Sequence, residues 1–253
     1  MAKPTIGVFG LTGCAGDQLV LLNCEDELLE LARLVDIRDF LMANSANDTE
    51  CRLDVALVDG AVLSRRDEED LKKIRERSNL LVALGTCAAW GGVAAMDRYD
   101  DRSKRLAEVY GEAGAQYDSL PARALHEVVK VDLRIPGCPI DKGQLLEALA
   151  SLLNGDLPVL PQYPVCTECR WRENNCLLIE KGLFCCGPVS AAGCGALCPS
   201  LNVPCVGCRG PAARAERHCE QRSQGQHPHR GRSAEPGRRR GRRSRTSTPR
   251  GRR

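Results

Sequence analysis

TIGVFGLTGCAGDQLVLLN, residues 5–23, decides how the chain folds. Residues 5–11 are apolar or β-branched apart from glycine, the composition of a strand buried on both faces. A glycine-rich turn follows. From Asp17 the apolar residues recur at helical spacing, with Leu19, Leu22, Leu28, Leu29 and Leu31 among them, which predicts a helix over 17–35. The same alternation repeats downstream. Apolar runs at 53–58, 80–84 and 128–135 predict strands, and 66–77 and 144–153 predict helices, the former with Leu71 and Ile74 as its apolar stripe. Strands alternating with helices through 1–157 predict an α/β domain built on a doubly wound parallel sheet.

Cys14, Cys87 and Cys138 each follow the C-terminal end of a predicted strand, in TIGVFGLTGC, LLVALGTC and VDLRIPGC. In a parallel sheet those ends lie along one edge, where ligands bind, so residues distant in sequence can converge there. Glycines flank all three, which allows close backbone approach and leaves N–H groups free to donate. A four-ligand centre needs one more group. Cys14-Ala15-Gly16-Asp17 has the spacing of Cys-x-x-Cys with a carboxylate last, so Asp17 is the candidate, with helix capping as its competing role. Cys24 and Cys51 read as structural. His126 sits on a predicted helix away from these motifs and reads as an ordinary histidine.

Prolines 158, 161 and 164 end the alternation. Residues 158–211 predict a separate small region without long periodic elements, and eight of its nine cysteines fall in two sets of four. Cys166, Cys169, Cys176 and Cys185 form the first, and Cys194, Cys198, Cys205 and Cys208 the second. Four thiolates can hold one iron–sulfur cubane or one structural zinc, so both metals remain open on spacing alone. The roughly 47 residues of 165–211 can bury little core alone, and metal–thiolate bonds would supply the missing stability. Cys186, beside Cys185, could compete as a ligand.

The formal charge of +3 divides unevenly. Residues 212–253 carry fourteen Arg, no Lys and three Glu, a net of +11, which leaves −8 on 1–211. That tail contains no Val, Ile, Leu, Met, Phe, Trp or Tyr and is expected to be disordered. It reads either as a nucleic-acid-binding arm or as an out-of-frame translation product. The abrupt change of composition after Pro211 favours the latter. No apolar run is long enough to span a bilayer, and no export signal is visible. Fifteen cysteines then point to metal binding in the cytoplasm rather than to a disulfide scaffold.

TGCAGDQLVLLN (12–23), GTCAAWGG (85–92), PGCPID (136–141), PVCTEC (164–169), GPVSAAGCGALCP (187–199) and PCVGCRGP (204–211) together resemble the small, electron-transferring subunit of cytoplasmic [NiFe] hydrogenases, of the sulfhydrogenase delta and the F420- or viologen-reducing gamma type. The resemblance covers about 1–211. It implies a flavodoxin-like domain and three [4Fe–4S] clusters. A proximal cluster would lie on Cys14, Asp17, Cys87 and Cys138, a distal one on Cys166, Cys169, Cys176 and Cys185, and a medial one on Cys194, Cys198, Cys205 and Cys208. Most of the family has Cys where this chain has Asp17. The implied partners are a large subunit carrying the nickel–iron site and an acceptor subunit of flavoprotein, ferredoxin-like or heterodisulfide-reductase type, with no nucleic acid and no membrane span. Two alternatives stand beside this reading. One is a complex I-like module passing electrons to a quinone or membrane partner, and the other is a zinc-ribbon interaction protein built on 166–208.

Overall fold

A computed structural model describes residues 3–96, 100–213 and 215. Five parallel strands form its sheet: β1 (Thr5–Gly10), β2 (Asp36–Phe40), β3 (Leu53–Asp59), β4 (Ser78–Leu84) and β5 (Leu133–Ile135), in the order β2-β1-β3-β4-β5. This is the flavodoxin-like order, and its topological switch point falls between β1 and β3. Gly10 lies opposite Asp59 there, so the loops that leave these two strands open the crevice in which such folds bind ligands.

Helices cover both faces of the sheet, which explains why the strands read as continuous apolar runs. Val55, Leu57, Val82 and Leu84 belong to one core with Leu21, Leu145 and Leu149, from α1 (Gly16–Leu22) and α6 (Lys142–Leu153). Ala56, Val58, Leu81 and Ala83 belong to the other, with Leu71 and Ile74 of α3 (Arg65–Arg77). Successive strand residues alternate between the two cores, as a pleated strand requires. Burying a leucine such as Leu71 contributes roughly 1.5–3 kcal/mol. The helix α3 starts at Ser64, whose hydroxyl accepts the Asp67 N–H while the Asp67 carboxylate accepts the Ser64 N–H, a reciprocal cap.

The structure departs from the sequence pattern in four places. The helix expected over 17–35 is two helices, α1 and α2 (Glu25–Leu34), parted at Asn23 and Cys24. Strand β2 has no counterpart among the predicted strands. Its DIRDF sequence carries two aspartates on an edge strand. Asp39 is tied to Arg77 at 2.5 Å, and Arg77 lies 4.9 Å over the Phe9 ring. The run 128–135 is strand only at its end. Val128, Val129 and Val131 pack against the second core from a loop, and the Asp132 carboxylate holds that loop by accepting the Leu81 N–H and an Arg75 N–H. Two further helices, α4 (Gly85–Trp90) and α5 (Arg102–Tyr110), were not expected.

After α6 the described residues form short helices, α7 (Val165–Trp171), α8 (Leu177–Glu180) and α9 (Leu197–Ser200). Their shared core is small, with Val165, Ala196 and Cys205 buried and Cys169, Cys185, Cys186 and Cys194 partly so. Ala212 is still packed, its N–H donating to Val189 O at 2.7 Å. The disorder expected of the tail concerns residues that lie, from 216 onward, outside those described. Among the described residues no helix is long and apolar enough to cross a membrane.

Candidate metal centres

Three strand ends converge on one site. Cys14 follows β1, Cys87 lies in α4 directly after β4, and Cys138 follows β5. Cys87 therefore stands on a helix and not in the expected turn. Burial pushes the Cys87 thiol up to about 11, helped by the charges of Cys138, Asp59, Cys14 and Asp17. Burial also raises Cys138, with Asp17, Cys14 and Asp59 adding to the effect. Three thiols and two carboxyls thus face one another across the sheet edge, and loading a metal there must displace their protons.

Asp17 does not cap α1. Ala15 holds the cap position and makes no side-chain bond, while the Asp17 carboxylate is buried and accepts the Ile140 N–H at 2.8 Å. Burial, opposed by the Ile140 N–H and aided by the neighbouring Asp59 charge, pushes its carboxyl up to about 7. Gly85 makes room for it. A Cβ at Gly85 would stand 1.7 Å from Asp17 Oδ2, and φ there is +76°. At Gly92, where φ is +60°, a Cβ would lie 2.5 Å from Cys87 Sγ. The sulfur therefore sits in a cradle that any larger residue would fill. Asp59 escaped the sequence reading; its signal was an acidic residue closing an apolar strand at the switch point.

The first cysteine set of the C-terminal region lines a single cavity. Cys166 and Cys169 enter it from α7, Cys176 from the cap of α8, and Cys185 from the loop after it, with Gly187 and Val165 completing the wall. A Cβ at Gly187 would lie 3.2 Å from Cys166 Sγ and 3.5 Å from Cys185 Sγ. Burial raises the Cys166 thiol, followed by the charges of Cys185, Cys169, Cys176 and Cys205. Cys186 does not line this cavity. Its backbone is bound to Cys205 and Ser190 instead. In the second set, burial raises Cys208, followed by Cys194, Cys205 and Cys198, while Arg209 opposes them. Four thiols per group, crowded by small residues and without disulfides, suit a bulky anionic cluster.

Hydrogen bonds connect the three groups in order. Thr86, beside Cys87, donates its N–H to Gly137 O at 2.7 Å, and its hydroxyl accepts the Gly137 N–H at 3.1 Å. The same hydroxyl donates to Cys208 O at 2.5 Å, crossing from the sheet edge to the second cysteine set. The Cys205 N–H then donates to Cys185 Sγ at 3.3 Å, crossing from the second set to the first. Glu168 strengthens that junction from α7, its carboxylate accepting the Gly193 and Ala196 N–H groups on either side of Cys194. Sequence spacing gave no signal for Thr86 or Glu168. His126 is not isolated from the motifs: its ring meets Trp90 edge-on at 6.1 Å. Trp90 also lies under Arg134, 4.3 Å from its guanidinium carbon, and against Gly210, where a Cβ would clash at 2.4 Å. Cys219 lies outside the described residues.

A family model described as NADH ubiquinone oxidoreductase, 20 Kd subunit, matches residues 14–152. Sulfhydrogenase 2 subunit delta of Pyrococcus furiosus is 42% identical over 207 residues, spanning 82% of this chain and 86% of that protein. A subunit of the F420-non-reducing hydrogenase of Methanocaldococcus jannaschii is 32% identical over 233 residues, spanning 81% of each. A chain in the crystal structure of an NAD+-reducing [NiFe]-hydrogenase in its H2-reduced state superposes with a TM-score of 0.56 at 28% identity, covering 63% of this chain and 96% of that one.

Proposed function

Because this chain belongs to the family of the 20 Kd subunit of NADH ubiquinone oxidoreductase, and within it to the electron-transfer subunits of hydrogenases, we propose that it relays electrons through three [4Fe–4S] clusters in a cytoplasmic [NiFe] hydrogenase. The partners would be a large subunit holding the nickel–iron site, where hydrogen yields two protons and two electrons, and an acceptor subunit of flavoprotein, ferredoxin-like or heterodisulfide-reductase type. Each cubane, when bound, would accept and release one electron at a time. The region 1–157 would hold the proximal centre and 158–211 the other two.

The connected series of hydrogen bonds carries this reading. Cys14, Asp17, Cys87 and Cys138 would hold the proximal cluster at the sheet edge. Thr86 fixes the Cys87 helix to the Cys138 loop and reaches Cys208. That contact supports Cys194, Cys198, Cys205 and Cys208 as the medial set. The bond from Cys205 to Cys185 supports Cys166, Cys169, Cys176 and Cys185 as the distal set, one step further out. N–H and O–H donors aimed at ligand sulfurs also raise cluster potentials. Asp17, a harder ligand than thiolate, would favour the oxidised proximal cluster.

A complex I-like role draws support from the family model, but the match ends at residue 152 and takes in neither of the two four-cysteine sets. Zinc draws no support from the relatives, whose names are those of hydrogenase subunits.

Purified with its large subunit, the chain should be brown, and hydrogen should bleach that colour. Purified alone, it should keep the colour under hydrogen, because the nickel–iron site would lie in the large subunit. Bleaching of the isolated chain, or none in the complex, would refute the proposed role.

A further inference from the structure

Arg209 is the buried cation of the cysteine-rich region. It is 3% exposed, its Nε donates to Ala192 O at 2.8 Å, and a terminal N–H donates to Gln144 Oε1. Gly193 lies flat against it, since a Cβ there would stand 2.6 Å from a guanidinium nitrogen. The side chain is thus pinned between the loop that carries Cys194 and its own neighbour Cys208. It faces the charges of Cys194, Cys208, Glu168 and Asp141. A buried cation is unfavourable unless anions or hydrogen bonds compensate it. Both hydrogen-bond acceptors named here are neutral, and among the charged groups it faces Cys194 and Cys208 of the second cysteine set act on it most strongly, ahead of Glu168 and Asp141.

We infer that the Arg209 guanidinium sets the reduction potential of the cluster held by Cys194, Cys198, Cys205 and Cys208, holding it above the value the acidic body of the chain would give. This rests on the cluster assignment proposed above. The four thiolates leave a cubane anionic, and an added electron makes it more so. A fixed positive charge in a water-poor interior stabilises the reduced state, whereas exposed lysines and arginines are screened. Because the charge is permanent and clamped by Gln144 and Ala192, it acts as a positioning and tuning residue and takes no part in bond making.

The test is redox-poised EPR on the reconstituted full chain. Arg209→Gln should lower one midpoint potential and leave the other two in place, while Arg209→Lys, which keeps the charge, should stay near wild type. Gln144→Glu, nearly isosteric, gives Arg209 an anionic partner without removing it and should lower the same potential. It decides the matter if Arg209→Gln fails to load its cluster. Unchanged potentials in the variants that load, or equal shifts in all three centres, would overturn the inference while the cluster reading stands. A wild-type chain with no centre on the second set would instead overturn the reading itself.

Discussion

Cys87→Ser should remove the proximal cluster and sever electron entry while leaving the fold intact. Serine nearly matches cysteine in volume, and the cores beneath α4 are built from Ala88 and its apolar neighbours, not from the thiol. Iron should fall by about four per chain. Even changes outside the ligand shell cost about 10–100-fold in metal affinity, so loss of a ligand should exceed that. Hydrogen should then no longer reduce the two outer centres, although dithionite still should. Cys51→Ser, outside every ligand group, should keep full iron content and full hydrogen-dependent reduction. Iron analysis with hydrogen- and dithionite-reduced EPR spectra checks both variants. A Cys87→Ser protein that keeps its iron and its response to hydrogen would remove Cys87 from the site.

Stripping the metal should unfold the cysteine-rich region and spare the sheet. The two sheet cores are continuous and bury apolar side chains from every strand. The third core buries only Val165, Ala196 and Cys205, while Ile179, Phe184 and Val206 nearby are exposed. The helices α7, α8 and α9 are too short to persist alone. Cluster–thiolate bonds would therefore supply most of the free energy of folding there. In hydrogen exchange, amides across 164–211 should lose nearly all protection after chelation and acid treatment. Amides of β1, β3 and β4 should keep theirs. Continued protection of Glu180, Lys181 and Ser190 in the metal-free chain would show that packing alone holds the region.

Sequence periodicity revealed the buried middle of the sheet because parallel strands covered on both faces must be apolar throughout. Strands β1, β3 and β4 were legible for that reason. The edge strand β2 was not, since pairing with β1 alone allows it two aspartates. The valines before β5 read as strand because burial in a loop and burial in a strand select the same residues. At the site, the cysteines stood out by type and by their place after strands. Asp59, Thr86, Glu168 and Arg209 did not, because their roles depend on partners 41, 122, 25 and 65 residues away in sequence. His126 showed the same blindness: only the folded chain brings it to Trp90.

The reading as a three-centre electron relay meets its most direct test in the metal content of the anaerobically purified chain. It predicts about twelve iron and about twelve acid-labile sulfide per chain, with dithionite-reduced EPR showing interacting cubanes. About two zinc without sulfide would contradict it, as would about four iron, the content of a chain whose two four-cysteine sets bind nothing.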